Sequence, residues 1–290
     1  MDLVELNSVT ITMSFCTFYS IVICICFLYN LDRKVYPMSD KEYYLFYQEW
    51  VSFVHGLVAI VLSAYWFLLL GIDYDNPNTF YEVVTLWNTL GYMINDTVWM
   101  LLFKSWDLGI LIHHLLTSVS LPVLILKGYG AGFWVVLLYY GELSNPFFQI
   151  RNQLKRLGFV KTKTYQVFLW VYGLIYIVFR AIMATIEVFR GLTFLKVPYI
   201  FKVMMCMGQV INLGWMIFVS GMLWKSIPYW YSNPDQAMTK QWWINGRDVY
   251  AKLTKQFPYN FIIGSSLFLG FSGVPAAYAT WLHYNDNSLF

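Results

Sequence analysis

Long apolar runs alternate with short polar stretches along the chain. Eight of the runs approach or exceed the length of about 18 residues that predicts a membrane-spanning helix. They are residues 9–29, 51–71, 83–103, 108–126, 131–149, 165–188, 199–223 and 259–282. The pattern therefore predicts an all-α integral membrane protein with about eight spans in one helical membrane domain.

The fifth run, GFWVVLLYYGELSNPFFQI, carries a proline close to its end. Pro146 has no backbone N–H with which to bond the carbonyl of Glu142, four residues earlier. A carbonyl freed at membrane depth is tolerated only inside protein or beside water. This run is therefore expected to form the least regular helix of the eight.

The stretches between the runs differ in their content of Lys and Arg. Successive stretches lie on opposite sides of the predicted membrane. The stretches on one side carry 14 Lys and Arg residues, and those on the other side carry only 3. Because positive residues stay on the cytoplasmic-type side, both termini are predicted to lie on the opposite, non-cytoplasmic (non-matrix) side. The long basic stretch 224–258 adds a helix-start signal at Asn233-Pro234 and the Trp, Tyr and Lys of an interfacial segment.

The composition excludes several classes of protein. Hydrophobic residues make up 59% of the chain and charged residues 12%, with a mean hydropathy of +0.53, whereas soluble domains are about 25% charged. The four cysteines lie in apolar runs without metal-ligand spacing, which predicts neither disulfides nor a metal site. No phosphate-binding glycine loop and no basic aromatic stripe is present, so neither a cofactor nor a nucleic-acid partner is predicted. The acidic first residues predict no cleaved targeting segment.

Five ionisable residues within the runs lie at one predicted depth. At 1.5 Å per helical residue, they lie about 6–11 Å below the basic surface. They are His55, Asp96, His113, His114 and Glu142. Since a charge in hydrocarbon costs several kcal/mol, these side chains are expected to face the bundle interior. Their common depth predicts a polar pocket that is open to the basic side.

Uncharged polar residues continue this interior face. Asn88, Tyr92 and Asp96 follow the spacing i, i+4, i+8 and form one helical stripe in the third run. In the fourth run His113 shares a stripe with Thr117. The next residue, also a histidine, points about 100° away, so the two rings are expected to have different partners.

Two uses of these residues stay open. Polar residues between membrane helices often serve only as hydrogen-bonding contacts. Alternatively, a histidine beside a carboxylate acts as a base or nucleophile toward an activated acyl group. The catalytic candidates are His113, His114, Asp96 and Glu142. Arg180 lies deeper, where an ion pair with Glu187 or with a neighbouring helix is interpreted as structural.

Several sequence blocks resemble the TLC family of membrane proteins. They are EWVSFVHGLVAIVLSAYWFLL, NPNTFYEVVTLWNTLGYMINDTVWMLLF, HHLLTSVS and GELSNPFFQIRNQLKRLG. The order of these motifs, which ends on Glu-x-Ser-x-Pro followed by Arg151, looks most like the small TLC domain-containing subgroup. The resemblance implies a TLC-type bundle over residues 49–228. An N-terminal span with a basic loop (1–48) precedes it, and an interfacial segment with a C-terminal span (229–290) follows.

The resemblance also implies a role with lipids. In the related ceramide synthases, paired histidines and downstream acidic residues transfer an acyl group from acyl-CoA to a sphingoid amine. His113, His114 and Thr117 match the beginning of that signature, but its later acidic stretch is missing. A lipid-handling protein, acting in lipid composition, sensing or trafficking, is therefore favoured over an enzyme. The implied pocket residues are His55, Asn88, Tyr92, Asp96, His113, His114, Thr117, Glu142 and Arg151.

Two other functions stay open beside lipid handling. One is a non-catalytic structural subunit of a large membrane assembly, such as a mitochondrial respiratory complex. The other is a lipid acyltransferase related to the ceramide synthases. The family favours the endoplasmic reticulum, with the mitochondrial inner membrane as the alternative. Membrane lipids are the expected partners, joined by other subunits in the first case.

Overall fold

A computed structural model describes residues 3–28, 39–69, 74–105, 107–194 and 196–232. Within these ranges the chain is helical, with short turns and one isolated bridge between Pro77 and Tyr129. The helices are α1 (Leu3–Leu28), α2 (Asp40–Leu69), α3 (Phe80–Leu102), α4 (Leu108–Lys127), α5 (Ala131–Glu142), α6 (Asn145–Arg156), α7 (Lys163–Ile175), α8 (Ala184–Thr193) and α9 (Tyr199–Ser232). A 3₁₀ turn (Phe159–Lys161) precedes α7, and a π-helix (Tyr176–Met183) joins α7 to α8.

Four helical stretches of the described ranges are long and apolar enough to cross a membrane. They are Lys41–Tyr65, Leu108–Lys127, Lys163–Thr193 and Tyr199–Ile227. The prediction of an all-α multi-pass membrane protein is thereby confirmed, while the count of eight spans stays a prediction. The predicted eighth span, 259–282, and the interfacial segment beyond α9 lie outside the described residues.

The fifth predicted span, 131–149, is two helices and not one. The chain turns at Leu143 and Ser144 between α5 and α6. Pro146 occupies the first turn of α6. A backbone N–H has no partner within the helix at this position, so proline loses no hydrogen bond there, and the fixed φ of proline suits the helix. The proline therefore begins a new helix and does not disturb the middle of an old one.

The second predicted span also needs correction, because α2 begins at Asp40 and not near residue 51. Its first turns bury Tyr43, Phe46 and Tyr47 in one cluster with Leu157, the residue directly after α6. Gln153 of α6 donates from Nε2 to the carbonyl of Phe46 at 2.7 Å. Since these turns mix aromatic with charged residues, an apolar run does not reveal them.

The connections after α2, α4 and α8 meet at one end of the bundle, and Asn78 holds two of them together. Its backbone N–H bonds the carbonyl of Gly128 at 2.7 Å, and its side chain bonds Leu124 O and Ala131 N. Lys196, from the third connection, lies 5.2 Å from the ring centroid of Tyr129. This end is therefore tightly fastened.

Helix α1 packs closely on α3 at a glycine. A Cβ placed on Gly91 would lie 2.5 Å from the Cβ of Phe15. The thiol of Cys16 donates to the carbonyl of Gly91 at 3.2 Å. Small residues allow such backbone contact between membrane helices, where burial from lipid gives little driving force.

Helix α9 lies at the periphery of the described bundle. Its side chains Val210, Ile217 and Phe218 are highly exposed and apolar. It contacts α4, α7, the π-helix and α8 along one side only. In a bilayer the other side of α9 faces acyl chains.

Candidate functional site

A cavity of about 300 Å³ lies where α2, α3, α4, α5 and α6 converge, with the π-helix and α9 behind it. We call it the polar cavity. Its polar lining includes Gln48, Glu49, Ser52, Tyr92, Asp96, His113, His114, Glu142, Asn145, Arg156 and Arg180. All four catalytic candidates from the sequence thus line one space. Among the described residues no group of three or more His, Cys, Asp and Glu side chains is arranged to hold a metal ion.

His114 and Asp96 face each other in this cavity. The Thr97 hydroxyl has one proton, which it donates to the carbonyl of Met93 at 2.7 Å. Its oxygen lies 3.1 Å from His114 Nδ1 and is left to accept the Nδ1 proton. The other nitrogen, Nε2, then faces Asp96 Oδ2 at 3.6 Å. This arrangement suits His114 to accept a proton from a bound molecule, because the carboxylate stabilises the imidazolium that forms.

Gln48 of α2 fixes the other oxygen of Asp96. Its amide nitrogen donates to Asp96 Oδ1 at 2.9 Å, and its amide oxygen accepts from Ser105 Oγ at 3.4 Å. The sequence prediction missed Gln48, because the predicted span began at residue 51. Helical spacing is the signal that was available, since Gln48 lies seven residues, or two helical turns, before the candidate His55.

Glu142 ends α5 and is held by the first turn of α6. Asn145 Nδ2 donates to Glu142 Oε2 at 2.8 Å and to the carbonyl of Ser52 at 3.3 Å. The oxygen of Asn145 accepts from Gln149 Nε2 at 2.9 Å. The second oxygen of Glu142 lies 3.9 Å from Arg180 Nη2, an ion pair without a hydrogen bond.

His55 lies behind the polar cavity and does not line it. Its ring stacks on Tyr92 with centroids 3.8 Å apart. Its Nδ1 lies 3.2 Å from the Tyr19 hydroxyl of α1, which donates to Asn88 Oδ1 at 2.9 Å. The hydroxyl of Tyr92 in turn bonds Ser52 Oγ at 2.8 Å. His55 and Asn88 therefore brace a wall residue of the cavity.

The paired histidines have different neighbours, as their angular separation predicts. His113 turns toward α9, where its ring lies 5.8 Å from that of Trp215 in a T-shaped contact. His113 and Thr117 line a small cavity of about 90 Å³ that extends between α4, α5, α8 and α9. Thr117 is therefore adjacent to the polar cavity and not in it.

Arg151 is not brought to the polar cavity. Its guanidinium lies 5.5 Å from the ring centroid of Tyr165 on α7. Helix α6 directs Gln153 and Arg156 toward α2. Arg151 lies on a different side of the same helix and faces α7. Arg156 lines the cavity and forms a two-pronged pair with Glu49, with N···O distances of 2.8–3.1 Å.

A second cavity, of about 380 Å³, adjoins the polar one between α4, α6, α7 and α9. We call it the aromatic cavity. Its lining includes Ile110, Asn145, Phe148, Tyr172, Tyr176, Arg180, Trp215, Phe218, Val219 and Met222. Five of these residues also line the polar cavity, namely Ile110, Asn145, Phe148, Arg180 and Trp215. The two cavities therefore share a common wall.

Arg180 lies in the π-helix between α7 and α8. Gln209 of α9 supports this widened turn by donating from Nε2 to the carbonyls of Arg180 and Ala181 at 3.2 and 3.4 Å. The same nitrogen lies 2.7 Å from Thr185 Oγ1. Of the two ion pairs expected for Arg180, the structure has the one with a neighbouring helix, at Glu142.

Glu187 pairs elsewhere, on the opposite side of the bundle from the basic loops. Its carboxylate accepts from Arg190 Nη1 at 2.7 Å and from the Tyr74 hydroxyl at 3.3 Å. Spacing of i, i+7 aligns two residues only in a regular α-helix. The π-helix shifts the register, so Arg180 and Glu187 do not meet.

Residues 45–221 match the protein-family model of the TLC domain. The match covers more than half of the 290-residue chain. It begins in α2, ends in α9 and includes every residue named above as lining the polar cavity. Helix α1, which supplies Tyr19, lies outside it.

Proposed function

This chain belongs to the TLC domain family, and from that premise we propose that it binds a membrane lipid in the two adjoining cavities. The headgroup occupies the polar cavity, and one acyl chain occupies the aromatic cavity. The protein thereby holds or presents a lipid within the bilayer, in the service of membrane lipid composition, sensing or trafficking. The shared wall of the two cavities carries this proposal.

The sizes of the cavities support it. Small-molecule sites in proteins are concave spaces of about 300–1,000 Å³. The volumes of about 300 and 380 Å³ fall within that range. One cavity is rich in carboxylates, imidazoles and amides, and the other is rich in aromatic rings. An amphiphile matches this division of polar and apolar lining.

Access from the bilayer supports it as well. Ile110 of α4 and Phe218 of α9 line the aromatic cavity and are both exposed on the outside of the bundle. Because α4 and α9 carry exposed apolar faces, a lipid reaches the cavity sideways, without leaving hydrocarbon.

The polar cavity decides which lipid stays. An acyl chain that moves from bilayer to aromatic cavity gains little, because lipid tails are as apolar as leucine side chains. Hydrogen bonds to charged groups contribute about 1.5–3 kcal/mol each. Selectivity therefore depends on groups such as Arg180, Asn145 and His114.

A bulky residue in the aromatic cavity tests the proposal. Ile110 and Ile112 are both on α4 and are 40% and 39% exposed, but only Ile110 lines the cavity. We expect Ile110→Trp to lose the co-purifying lipid, and Ile112→Trp to keep it. Native mass spectrometry of the protein, gently solubilised and purified, measures the retained lipid.

The proposal fails on either of two results. One is wild-type protein that retains no lipid after exchange into a mild detergent. The other is equal retention by Ile110→Trp and Ile112→Trp. Thermal melting of both variants in the same detergent shows whether each is folded.

Acyl transfer is a second candidate, favoured by the His114–Asp96 pair in the cavity. In this case His114 takes a proton from the hydroxyl or amine of an acyl acceptor, which attacks the thioester of an acyl-CoA that arrives from the basic side. The thioester C–S bond breaks, and the imidazolium returns the proton to the CoA thiolate that leaves. Incubation with radiolabelled palmitoyl-CoA and mixed membrane lipids tests it. We expect a labelled lipid product with wild type that is absent with His114→Gln. A chain that forms no labelled product with any lipid fraction is not this enzyme.

A further inference from the structure

We propose that Arg180 anchors a singly charged oxyanion, the carboxylate or phosphodiester of the bound amphiphile. This inference rests on the proposed function and names the chemistry of the headgroup. The sequence favours a structural ion pair for Arg180, whereas the position of Arg180 in the bundle motivates a different role.

Arg180 lies where the cavities meet. It lines the polar cavity, the aromatic cavity and the small cavity beside Thr117. Its side chain is 18% exposed. A headgroup in the polar cavity with its chain in the aromatic cavity therefore passes beside the guanidinium.

The guanidinium of Arg180 lies 5.5 Å from the ring centroid of Tyr176, a contact that leaves N–H donors to spare. It carries five N–H groups in a planar fork that matches carboxylate and phosphate oxygens. Its closest described acidic contact is Glu142 Oε1, at 3.9 Å, which is beyond hydrogen-bond distance. The other oxygen of Glu142 is already bonded by Asn145 at 2.8 Å. Glu142 thus keeps its position without a hydrogen bond from Arg180.

The other arginine of the polar cavity is already committed. Arg156 bonds both oxygens of Glu49, which also accepts from Gln153 at 3.1 Å. An incoming anion would have to break this pair to bind Arg156. Arg180 is therefore the cation of the cavity lining best able to accept an anion.

The charge near Arg180 limits the ligand to one negative charge. Glu142 and Asp96 both line the same cavity. Two unit charges about 4 Å apart interact by roughly 4 kcal/mol at an effective dielectric constant of 20. A second negative charge on the ligand would be repelled by these carboxylates, and a single guanidinium would add little further attraction to offset that repulsion. A carboxylate or a phosphodiester meets this limit, and a doubly charged phosphomonoester does not.

The π-helix is an independent observation in support. Such widened turns interrupt α-helices rarely and occur frequently at functional sites. Here the π-helix contains Arg180, whose Nη2 lies 3.9 Å from Glu142 at the end of α5, and Gln209 bonds the carbonyls of Arg180 and Ala181. Gln209 is therefore a positioning residue, which acts on the ligand through Arg180.

Four single-chain probes distinguish the headgroup chemistry. They are palmitate, palmitoyl-lysophosphatidylglycerol, the neutral monopalmitoylglycerol and the cationic hexadecylamine. Each is titrated into purified, delipidated full-length protein at a pH where palmitate is ionised. We expect both anions to bind roughly tenfold more tightly than the neutral probe, as one charge-assisted hydrogen-bond pair provides. The tighter of the two anions tells whether fatty acid or phospholipid is the source.

Three variants locate the preference. Arg180→Gln should bind the two anionic probes within about threefold of the neutral one, and Arg180→Lys should keep part of the preference for anions. Gln209→Leu should reduce the preference without removing the cation. Arg190→Gln, an exposed arginine farther along the same helical rod, is the matched control and should behave as wild type.

The inference is overturned if wild type binds neutral and anionic probes equally, or if both Arg180 variants keep the full preference. If wild type binds neutral and anionic probes equally but Ile110→Trp binds none of them, the proposed lipid site stands and only the role of Arg180 is refuted. If no probe binds wild type, the proposed function fails with it. Should Arg180→Gln not fold, Arg180→Lys and Gln209→Leu decide.

Discussion

At the scale of single residues, the pair of Glu49 and Arg156 ties the first turns of α2 to the end of α6. Both nitrogens of the fork contact the carboxylate, and Gln153 adds a third donor. The side chains are 10% and 20% exposed. Removing one partner of a buried pair leaves an uncompensated charge, which costs more than the intact pair contributes.

We predict that Arg156→Met lowers the free energy of unfolding by about 2–3 kcal/mol, somewhat below the value for a fully buried pair because of its partial exposure. Lys155→Met, which changes the exposed neighbour, should cost less than about 0.5 kcal/mol. Unfolding of both variants in detergent, followed by circular dichroism, measures this. The double variant Glu49→Gln/Arg156→Met should recover part of the loss, and an equal or larger loss would contradict the prediction.

Hydropathy alone identified part of the candidate site. Asp96, His113, His114 and Glu142 are conspicuous because ionisable residues are rare in apolar runs, and all four line the polar cavity. Of the two alternatives for Arg180, the ion pair with Glu187 does not form, because i, i+7 spacing assumes a regular α-helix, and the pair with a neighbouring helix does, at Glu142. A π-helix depends on tertiary contacts, here those of Gln209 on α9. The local sequence pattern does not predict such contacts.

At the scale of helices, the contact between α1 and α3 depends on the missing side chain of Gly91. The nearest atoms to an added Cβ are Phe15 Cβ at 2.5 Å and the backbone of Thr12 at 3.1 Å. Neither is the end of a flexible side chain, so the helices themselves must separate to make room.

Gly91→Ala is therefore predicted to destabilise the fold by about 1–3 kcal/mol, in the range of overpacked cores. Gly221→Ala is the matched control, since an added Cβ there meets nothing within 4 Å and alanine favours helix by about 1 kcal/mol. Thermal melting in detergent should show a lower midpoint for the first variant and an equal or higher one for the second. Equal behaviour of the two would show that α1 and α3 do not pack as described.

The helices themselves were largely predictable, and their exceptions have local causes. The ends of α3 and α4 lie within a few residues of the predicted runs, because apolar length and caps coincide there. Pro146 indicated an irregular helix but did not show where one helix ends and the next begins. A proline is compatible both with a kink inside a helix and with the first turn of a new one. The start of α2 was hidden because its first turns are amphipathic and pack on protein, not on lipid.

At the scale of the whole molecule, the described loops sort to two ends. Asn78, Gly128 and Lys196 belong to the connections that meet at one end. Helices α5 and α6 run from that end, at Ala131, to Arg156. The connection between α6 and α7 therefore lies at the other end of the bundle. The sequence predicts that this second, more basic end faces the cytoplasm or matrix.

Cysteine labelling tests the predicted sidedness. Lys155 and Lys196 are both exposed and lie at opposite ends of the described bundle. In sealed, oriented vesicles with the cytoplasmic side outward, a membrane-impermeant maleimide should label Lys155→Cys and not Lys196→Cys. The unsubstituted chain is the blank for its native cysteines. The reverse labelling would invert the predicted topology.

Helix α1 has a practical meaning for anyone who trims this chain to its recognisable domain. The family match begins at residue 45, yet Tyr19 covers His55 and Asn88 from outside it. A shortened version starting at that boundary would lose the hydroxyl that contacts this buried imidazole and this buried amide. We therefore expect the smallest stable form of this protein to extend beyond its homology signal and to include the first helix.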